Sequence, residues 1–399
     1  MRARSGPPSD LSAGLSAAGT TASSAVWARR RMWLRQALGL LPLLHGLPLL
    51  VYLLMRGAVT SAAPEGFPER QWGRLYDLVS LLNELTPWYF LPVPLWLGTA
   101  AIARTKVAFL ATLLPLALFL ALYGDLFVPR PAHLAAWFGK PPEPEARLRV
   151  MTFNILATAR PTADLARVVV DVNPDVILTQ ETMPALATSL DASIGTVYPY
   201  TRLRTDGLWE AQGIWSRLPI LSEERWEGSQ RGANWQHAVV DVHGRRVHLV
   251  NLHLTTPRVT VRRTESFLVP VVVGEVSVAR RQEVAWLGPR LRALAATGEP
   301  VIVAGDLNLT DQTPEFQRLL DAGYADAYRQ AGWGFGMTYP GLPRVRLGRS
   351  GAVIGFPLIG IDHVLLSSGV QARSARVWPD SGSSDHRPVV VDVVLRQAG

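Results

Sequence analysis

Hydrophobic positions along this chain follow two regimes. From Ala37 to Val128 they gather in long runs almost free of charge. From Arg147 onward they occur in short runs separated by Gly, Pro and polar clusters. The long runs cover about 37–55, 85–103 and 107–125. A stretch of ~20 apolar residues crosses a hydrocarbon core of about 30 Å. Pro42, His45 and Pro48 interrupt the first run, which a bilayer helix tolerates when neighbours re-satisfy its backbone. Pro87, Trp88 and Tyr89 open the second as an interfacial anchor. Three buried core helices are the competing reading. Three such runs in succession are rare in soluble folds, so residues 37–128 are expected to form an all-α anchor of three transmembrane helices.

Residues 1–28 are rich in Ser, Ala and Gly without apolar periodicity, and Arg29, Arg30, Arg31 and Arg35 follow. Residues 1–36 are therefore expected to be a disordered basic N-terminus. The link between runs two and three is Arg104-Thr105-Lys106. The loop between runs one and two balances Arg56, Arg70 and Arg74 against Glu65, Glu69, Asp77 and Glu84. The positive-inside rule puts the N-terminus and the 104–106 link in the cytoplasm. Three crossings then give a multi-pass protein of the cell membrane with everything after Val128 extracytoplasmic. Ser61-Ala62-Ala63 could mark signal-peptide cleavage, but the long n-region, Pro64 and two further runs favour an uncleaved anchor. Pro131, Pro141, Pro142 and Pro144 make residues 129–146 a stiff, extended linker.

The short-run region, 147–399, reads as a catalytic domain. Leu148–Phe153, Asp175–Thr179, Val301–Ala304, Ile361–Leu366 and Pro388–Leu395 are strand patterns. Ala238–Val242 and Arg246–Leu252 flank His243-Gly244, a hairpin signal. Ala163–Asp171 and Arg280–Leu294 have helical spacing, the latter with Val284, Leu287, Leu291 and Leu294 on one face. Strands come both as hairpins and singly, so a two-sheet α/β sandwich is expected rather than a Rossmann sheet.

Composition narrows the chemistry. A length of 399 residues allows two to three domains. The absence of cysteine excludes a disulfide scaffold, a thiolate nucleophile and cysteine-ligated zinc or iron–sulfur. A mean hydropathy of +0.14 with 18% charged residues excludes a disordered chain. Residues 147–399 carry 27 Arg against 24 Asp and Glu, a net of +3 out of +8. The basic character thus belongs largely to the N-terminal region and argues weakly for nucleic-acid binding. Only Lys106 and Lys140 are lysines, the usage of a GC-rich bacterial genome.

Polar residues sit at the strand ends: Phe153-Asn154, Gln180-Glu181, Asn251-Leu252-His253, Gly305-Asp306-Leu307-Asn308, Ile361-Asp362-His363 and Ser384-Asp385-His386-Arg387-Pro388. Singly, an Asp or Asn after a strand is usually a cap or turn residue. Together, oxygen ligands, two histidines and two amides converging from separate strands are what a hard metal and a phosphate require.

Over roughly Leu148–Leu395, these motifs (TFN, QE, NLH, GDLN, IDH and SDHRP, in that order) resemble the endonuclease/exonuclease/phosphatase superfamily, whose relatives include DNase I-like nucleases, inositol polyphosphate phosphatases and neutral sphingomyelinases. The resemblance implies a four-layered α/β sandwich with its site at one rim of two sheets. It also implies a metal-dependent phosphoric ester hydrolase. Beside it, chemistry suggests roles. Glu181, with Asn154 and Asp385, would bind Mg²⁺, or Mn²⁺ in its place. Asp306 would orient and deprotonate the attacking water, and Asn308 would donate to a phosphoryl oxygen. His386 would contact the phosphate with its tautomer fixed by Asp362. His253 would donate to a second oxygen or protonate the leaving group.

Other residues read as structural. His237, His243 and His248 match no motif, and His363 should face away from Asp362. Asp311 reads as a helix cap for the stretch after Pro314. Ser216-Arg217 reads as support. Two departures stand out: Leu156 where many relatives have a second acid, which favours one metal, and Gly360 where many have Arg. Residues 257–279 look like an insertion that could cover the site, touch lipid headgroups or simply pack on the domain.

Three runs followed by this domain resemble the architecture of the teicoplanin-resistance family of membrane phosphatases, which implies undecaprenyl pyrophosphate as substrate. The leading expectation is a Mg²⁺-dependent phosphohydrolase acting on a membrane-associated, lipid-linked phosphoester or pyrophosphate. A membrane-tethered extracytoplasmic nuclease or phosphodiesterase is the alternative. Nucleic acid is the less favoured partner, because a net +3 offers little to neutralise several phosphates. A non-enzymatic binding domain is disfavoured because all eight expected polar positions are present.

Overall fold

The computed structural model describes residues 13–61, 76, 79–129, 147–159, 162–205, 211–228, 234–256, 259–263, 268–272, 275–341, 345–347, 352–354 and 357–396. The expected linker, apart from Pro129, and the first twelve residues of the expected disordered tail lie outside them. The chain divides into two compact units, one of Met1–Ala58 with Pro87–Leu122 and one of Val59–Thr86 with Tyr123–Gly399.

In the first unit, α1 (Ala13–Ser61) is a single helix that already includes residues 13–36. The expectation of disorder there is corrected. The stretch holds six Ala and four Arg, which favour helix, and no proline falls between Pro8 and Pro42. The second apolar run is also not the expected continuous span. It forms a 3-10 turn at Thr86–Phe90, then α2 (Val93–Ala103), an 11-residue helix of about 16 Å. Pro87, Pro92 and Pro94 lack the N–H donors an unbroken helix would need. After α3 (Lys106–Tyr123), two helices among the described residues are long and apolar enough to cross a membrane, within Val26–Ala58 and Lys106–Phe127.

These segments pack on one another. Gly39 of α1 meets Ala108 of α3, and Gly46 meets Leu114 and Pro115, so α1 and α3 run parallel. The broken segment runs opposite to both. Tyr89 stacks edge-on against Tyr52, Phe90 lies by Phe119, and Trp96 lies by His45. His45 Nε2 donates to Tyr89 O (2.7 Å) and its Nδ1 accepts from Trp96 Nε1 (3.1 Å). An imidazole inside an apolar helix is tolerable here because both nitrogens are satisfied.

In the second unit the strands are β1 (Arg147–Asn154), β2 (Val176–Gln180), β3 (Tyr200–Arg204), β4 (Gln212–Ser216), β5 (Ile220–Glu227), β6 (Asn234–Val242), β7 (Arg245–His253), β8 (Val259–Arg263), β9 (Leu268–Val272), β10 (Val301–Asp306), β11 (Tyr324–Asp326), β12 (Val345–Leu347), β13 (Ala352–Ile354), β14 (Asp362–Ser367), β15 (Val370–Val377) and β16 (Val389–Leu395). They build two six-stranded sheets, ordered β15-β16-β1-β2-β4-β3 and β11-β14-β10-β7-β6-β5. The expected hairpin is β6–β7, with His243 and Gly244 both at positive φ (55° and 83°) in its turn. The suspected insertion forms its own hairpin, β8–β9.

Side-chain alternation makes the layers. Leu148, Val150, Val176, Leu178, Ile214 and Val391 face Ala238, Val240, Leu249, Ile302, Ala304 and Val364 between the sheets. The outer face of the first sheet (Met151, Phe153, Ile177, Trp215) carries α4 (Thr162–Val172) and α5 (Pro184–Ile194). The outer face of the second (Val250, Leu252, Val301, Val303) carries α6 (Glu275–Ala296) and α7 (Pro314–Leu320). The result is a four-layered α/β/β/α sandwich of the DNase I type.

Candidate active site

The inward-facing positions are not apolar along their whole length. At one end of the strands the same alternation brings in Thr152 and Asn154, Gln180, Gln212, Gln236, Asn251, Asp306 and Asp362, all nearly or fully buried. Buried polar groups are stable only when paired, and all but the Gln180 Oε1 find partners. Gln180 Nε2 donates to Asn251 Oδ1 (2.7 Å) and Thr152 Oγ1 (3.2 Å). Asn251 Nδ2 donates to Thr179 O (3.0 Å) and Gln236 Oε1 (3.2 Å). Gln212 Nε2 donates to Asn251 O (3.1 Å). This network ties the two sheets together beneath the rim.

Register sets the rim. Asp306 of β10 lies beside His253 of β7 on one side and Asp362 of β14 on the other. Asn154 closes β1 level with Gln180 of β2, so Glu181 follows beside it. Asp306, 1% exposed, accepts from Asn154 Nδ2 (3.0 Å) and from Asn308 N–H (2.9 Å). Its Oδ2 lies 3.7 Å from both His253 Nε2 and His386 Nε2. Asp362 holds the other His386 nitrogen, with Nδ1 at 3.0 and 3.2 Å from its carboxylate oxygens. Asn154 also donates to Glu181 Oε1 (3.2 Å), and Ala157 N–H donates to Glu181 Oε2 (2.9 Å).

Asn308 differs from its expected role. Its side-chain amide donates to Leu254 O (2.9 Å), bracing the end of β7, and its backbone N–H serves Asp306. Asp311 does not cap α7 either. Thr313 does, accepting from Phe316 N–H, while Asp311 pairs with Arg329 (2.5 Å). His363 turns away from the rim and donates from Nε2 to Leu309 O (2.9 Å). His237 of β6 and His248 of β7 are joined by a 2.8 Å bond in a chain that runs from Glu224 of β5 to Glu299, just before β10. The side chains of the 257–279 insertion lie mostly outside the described residues.

Burial and charge tune the groups. Burial pushes the Asp306 carboxyl up and Asp362 adds to this, against the pull of His386, His253 and Asn154. A carboxylate held above its ordinary range is the stronger general base. Burial opposes charge on His386, but Asp362 and Asp306 outweigh it and lift its pKa to about 10. Burial also raises Asp385, with Glu181 and Asp362 contributing. Leu156, Glu181 and Asn308 all adopt left-handed φ (56°, 58° and 49°). Such positions cost about 1–3 kcal/mol each and gather at functional sites.

The charged His386 has a measurable consequence. In metal-free protein its ion pairing stabilises the fold fully below its unfolded pKa of about 6.5. That stabilisation is lost as pH rises through its folded value of about 10. Its contribution to the denaturant midpoint therefore declines between about pH 7 and 10, and Asp362→Asn flattens that decline. Identical pH slopes in the two proteins would contradict the pairing.

The sequence did not reveal the residues that lock these strand ends together. Ser384 Oγ donates to Asn154 O (2.7 Å) and accepts from His386 N–H (3.0 Å). Thr338, fully buried, accepts through Oγ1 from Ile361 N–H (3.1 Å) and Asp362 N–H (3.3 Å), and through its carbonyl from Arg387 N–H (2.9 Å). Tyr339 places its ring 4.8 Å from that of His386. Burial raises its hydroxyl pKa, and the charges of Asp385, Asp306 and Glu181 add to this. Ser384 was adjacent to a motif, whereas nothing in the spacing around Thr338 and Tyr339 singled them out.

The donor set fits a divalent cation. Asp385 Oδ1 is buried without a hydrogen-bond partner, and a carboxylate oxygen left bare suits a hard metal. Asp306, Asp362 and His386 also offer ligand atoms within 4.8 Å of one another, although there the imidazole nitrogens already face the two carboxylates.

Comparison with known proteins agrees with this geometry. The family model described as "Endonuclease/Exonuclease/phosphatase family" matches residues 151–386, more than half the chain. The chain therefore belongs to the endonuclease/exonuclease/phosphatase family and is a metal-dependent phosphoric ester hydrolase. Similar solved structures include TDP2 from C. elegans (20% identity, TM-score 0.49, covering 75% of this chain and 92% of that one). Another is an endonuclease/exonuclease/phosphatase from Bacteroides vulgatus (18% identity, TM-score 0.47, 63% and 99%). A third is D. rerio TDP2 complexed with single-strand DNA product (21% identity, TM-score 0.44, 62% and 98%). Comparison with curated proteins gives no match.

Proposed function

We propose that this protein is a Mg²⁺-dependent phosphohydrolase of a membrane-associated phosphoester or pyrophosphate, undecaprenyl pyrophosphate being the leading candidate. The observation that carries the reading is that one polypeptide joins the hydrolase site to two apolar helices of bilayer length. The parallel course of α1 and α3, with a broken return segment between them, supports a multi-pass anchor. Three crossings would put the N-terminal arginines and the Arg104–Lys106 link on one side and everything after Val128 on the other. By the positive-inside rule the hydrolase is then extracytoplasmic.

Glu181, Asp385 and Asn154 would hold the cation. When bound it neutralises phosphate charge and stabilises the leaving oxygen. Asp306 accepts the proton of the attacking water. Asn154 and the Asn308 N–H hold its two oxygens in place for that transfer. His386, kept charged and oriented by Asp362, presents Nε2–H to a phosphoryl oxygen. His253, on the other flank of Asp306, donates to a second oxygen or to the leaving group. In-line attack by water needs no covalent enzyme intermediate.

The test is phosphate release by the detergent-solubilised full chain with Mg²⁺, offering undecaprenyl pyrophosphate and DNA in parallel. Release from the lipid without DNA cleavage is expected, and excess chelator should abolish it. DNA cleavage with an inert lipid would overturn the reading in favour of a tethered nuclease.

A further inference from the structure

The segment between the two bilayer-length helices contains a short buried stretch that ends in Glu84, beside the catalytic loop. Tyr76, Val79, Ser80, Asn83 and Glu84 are all buried within the same compact unit as the sandwich. Glu84, 7% exposed, accepts from Arg280 of α6 (3.1 Å) and from Thr310 N–H (3.2 Å). Arg280, 3% exposed, donates onward from the same Nη1 to Asn308 O (2.5 Å), and from Nη2 to Ser80 Oγ (3.3 Å). Thr310 Oγ1 reaches Asn83 O (3.5 Å).

Asn308 and Thr310 belong to the turn after β10, and that turn positions the base. Asn308 sits at positive φ (49°), and its N–H donates to Asp306 Oδ1. A non-glycine residue keeps that conformation only when its surroundings over-determine it. Here the restraint on its carbonyl is Arg280, and the ion that balances Arg280 is Glu84. A buried guanidinium without its carboxylate is poorly tolerated.

We infer that Glu84 is a positioning residue for the catalytic turn, acting through Arg280 to hold Asn308 and so the Asp306 carboxylate. The inference rests on the hydrolase reading of the site. It gives the loop between the membrane segments a role in catalysis, since Glu84 lies two residues before Thr86, where the broken segment starts. Misplacing a base by as little as ~1 Å can cost about 100-fold in rate.

The test uses the full chain in detergent and compares Glu84→Gln with Val79→Ala, which loosens the packing of the same helical turn (79–84) but leaves the Glu84–Arg280 pair in place. Amide hydrogen exchange at Asn308 and Thr310 is measured alongside kcat, KM and Tm. For Glu84→Gln the expected results are faster exchange at both amides, a kcat lower by between about 10- and 100-fold, and a KM within about twofold of wild type. Val79→Ala should lower Tm but leave kcat and the exchange at Asn308 unchanged. Arg280→Met should reproduce the Glu84→Gln exchange pattern. Unchanged exchange at Asn308 and Thr310 in Glu84→Gln would overturn the inference, as would wild-type kcat with only a lower Tm. If wild-type protein turned over none of the offered phosphates, the hydrolase reading would fail by itself, and the exchange result would still decide whether Glu84 holds the turn.

Discussion

Asp306→Ala lowers kcat for phosphate release by about 10³–10⁴-fold and leaves the fold intact. The size follows from removing a positioned general base, a contribution of typically 10²–10⁴. It falls at the upper end because Asp306 also anchors the Asn154 amide and faces both histidines. KM should change little, since the lost interaction belongs to the transition state. Stability should change little, because relief from burying this charge offsets the loss of an acceptor for Asn154 and for the Asn308 N–H. A melting temperature close to wild type, with activity gone, is the expected outcome. Wild-type turnover in a folded Asp306→Ala protein would remove Asp306 from the mechanism.

Gly305→Ala acts on the fold instead. The Gly305 φ is 153°, and a Cβ there would lie 1.8 Å from Leu252 O on the neighbouring strand. No side chain can give way, because the obstacle is backbone in the middle of a six-stranded sheet. The strands must separate where β7 and β10 present His253 and Asp306. A cost of at least about 4 kcal/mol is expected, in the range of severe core disruptions. For a domain of this size that corresponds to a melting temperature lower by at least ~8 °C. Thermal unfolding of the purified variant checks it, and a change under about 2 °C would show that β7 and β10 can shift apart cheaply.

The sandwich was legible because burial on both faces of a sheet produces short, nearly continuous apolar runs such as Leu148–Phe153 and Val301–Ala304. Helix α6 was legible from the spacing of Val284, Leu287 and Leu291. Polar residues at strand ends were legible as a set, because paired sheets have no other use for Asp306 and Asp362 at inward positions. Residues whose role depends on the fold closing around them were not legible. Thr338 looks like any loop threonine until it receives two N–H groups from the start of β14. The side chain of Asn308 could not be seen to face Leu254, since that requires knowing where β7 ends. The anchor was read by hydropathy alone, which registers apolar length but is blind to the way Pro87, Pro92 and Pro94 break the second run. Glu84 was read as one of four loop acids, and only its burial against Arg280 separates it from the others.

The most direct test of the account is a single-turnover reaction, with full-length protein in excess over undecaprenyl pyrophosphate in detergent. Wild type and Asp306→Ala are compared, each with Mg²⁺ and with chelator. The account predicts one inorganic phosphate per lipid from wild type with Mg²⁺, and none on that timescale from the other three reactions. Release that persists in chelator, or that proceeds equally in Asp306→Ala, would contradict it.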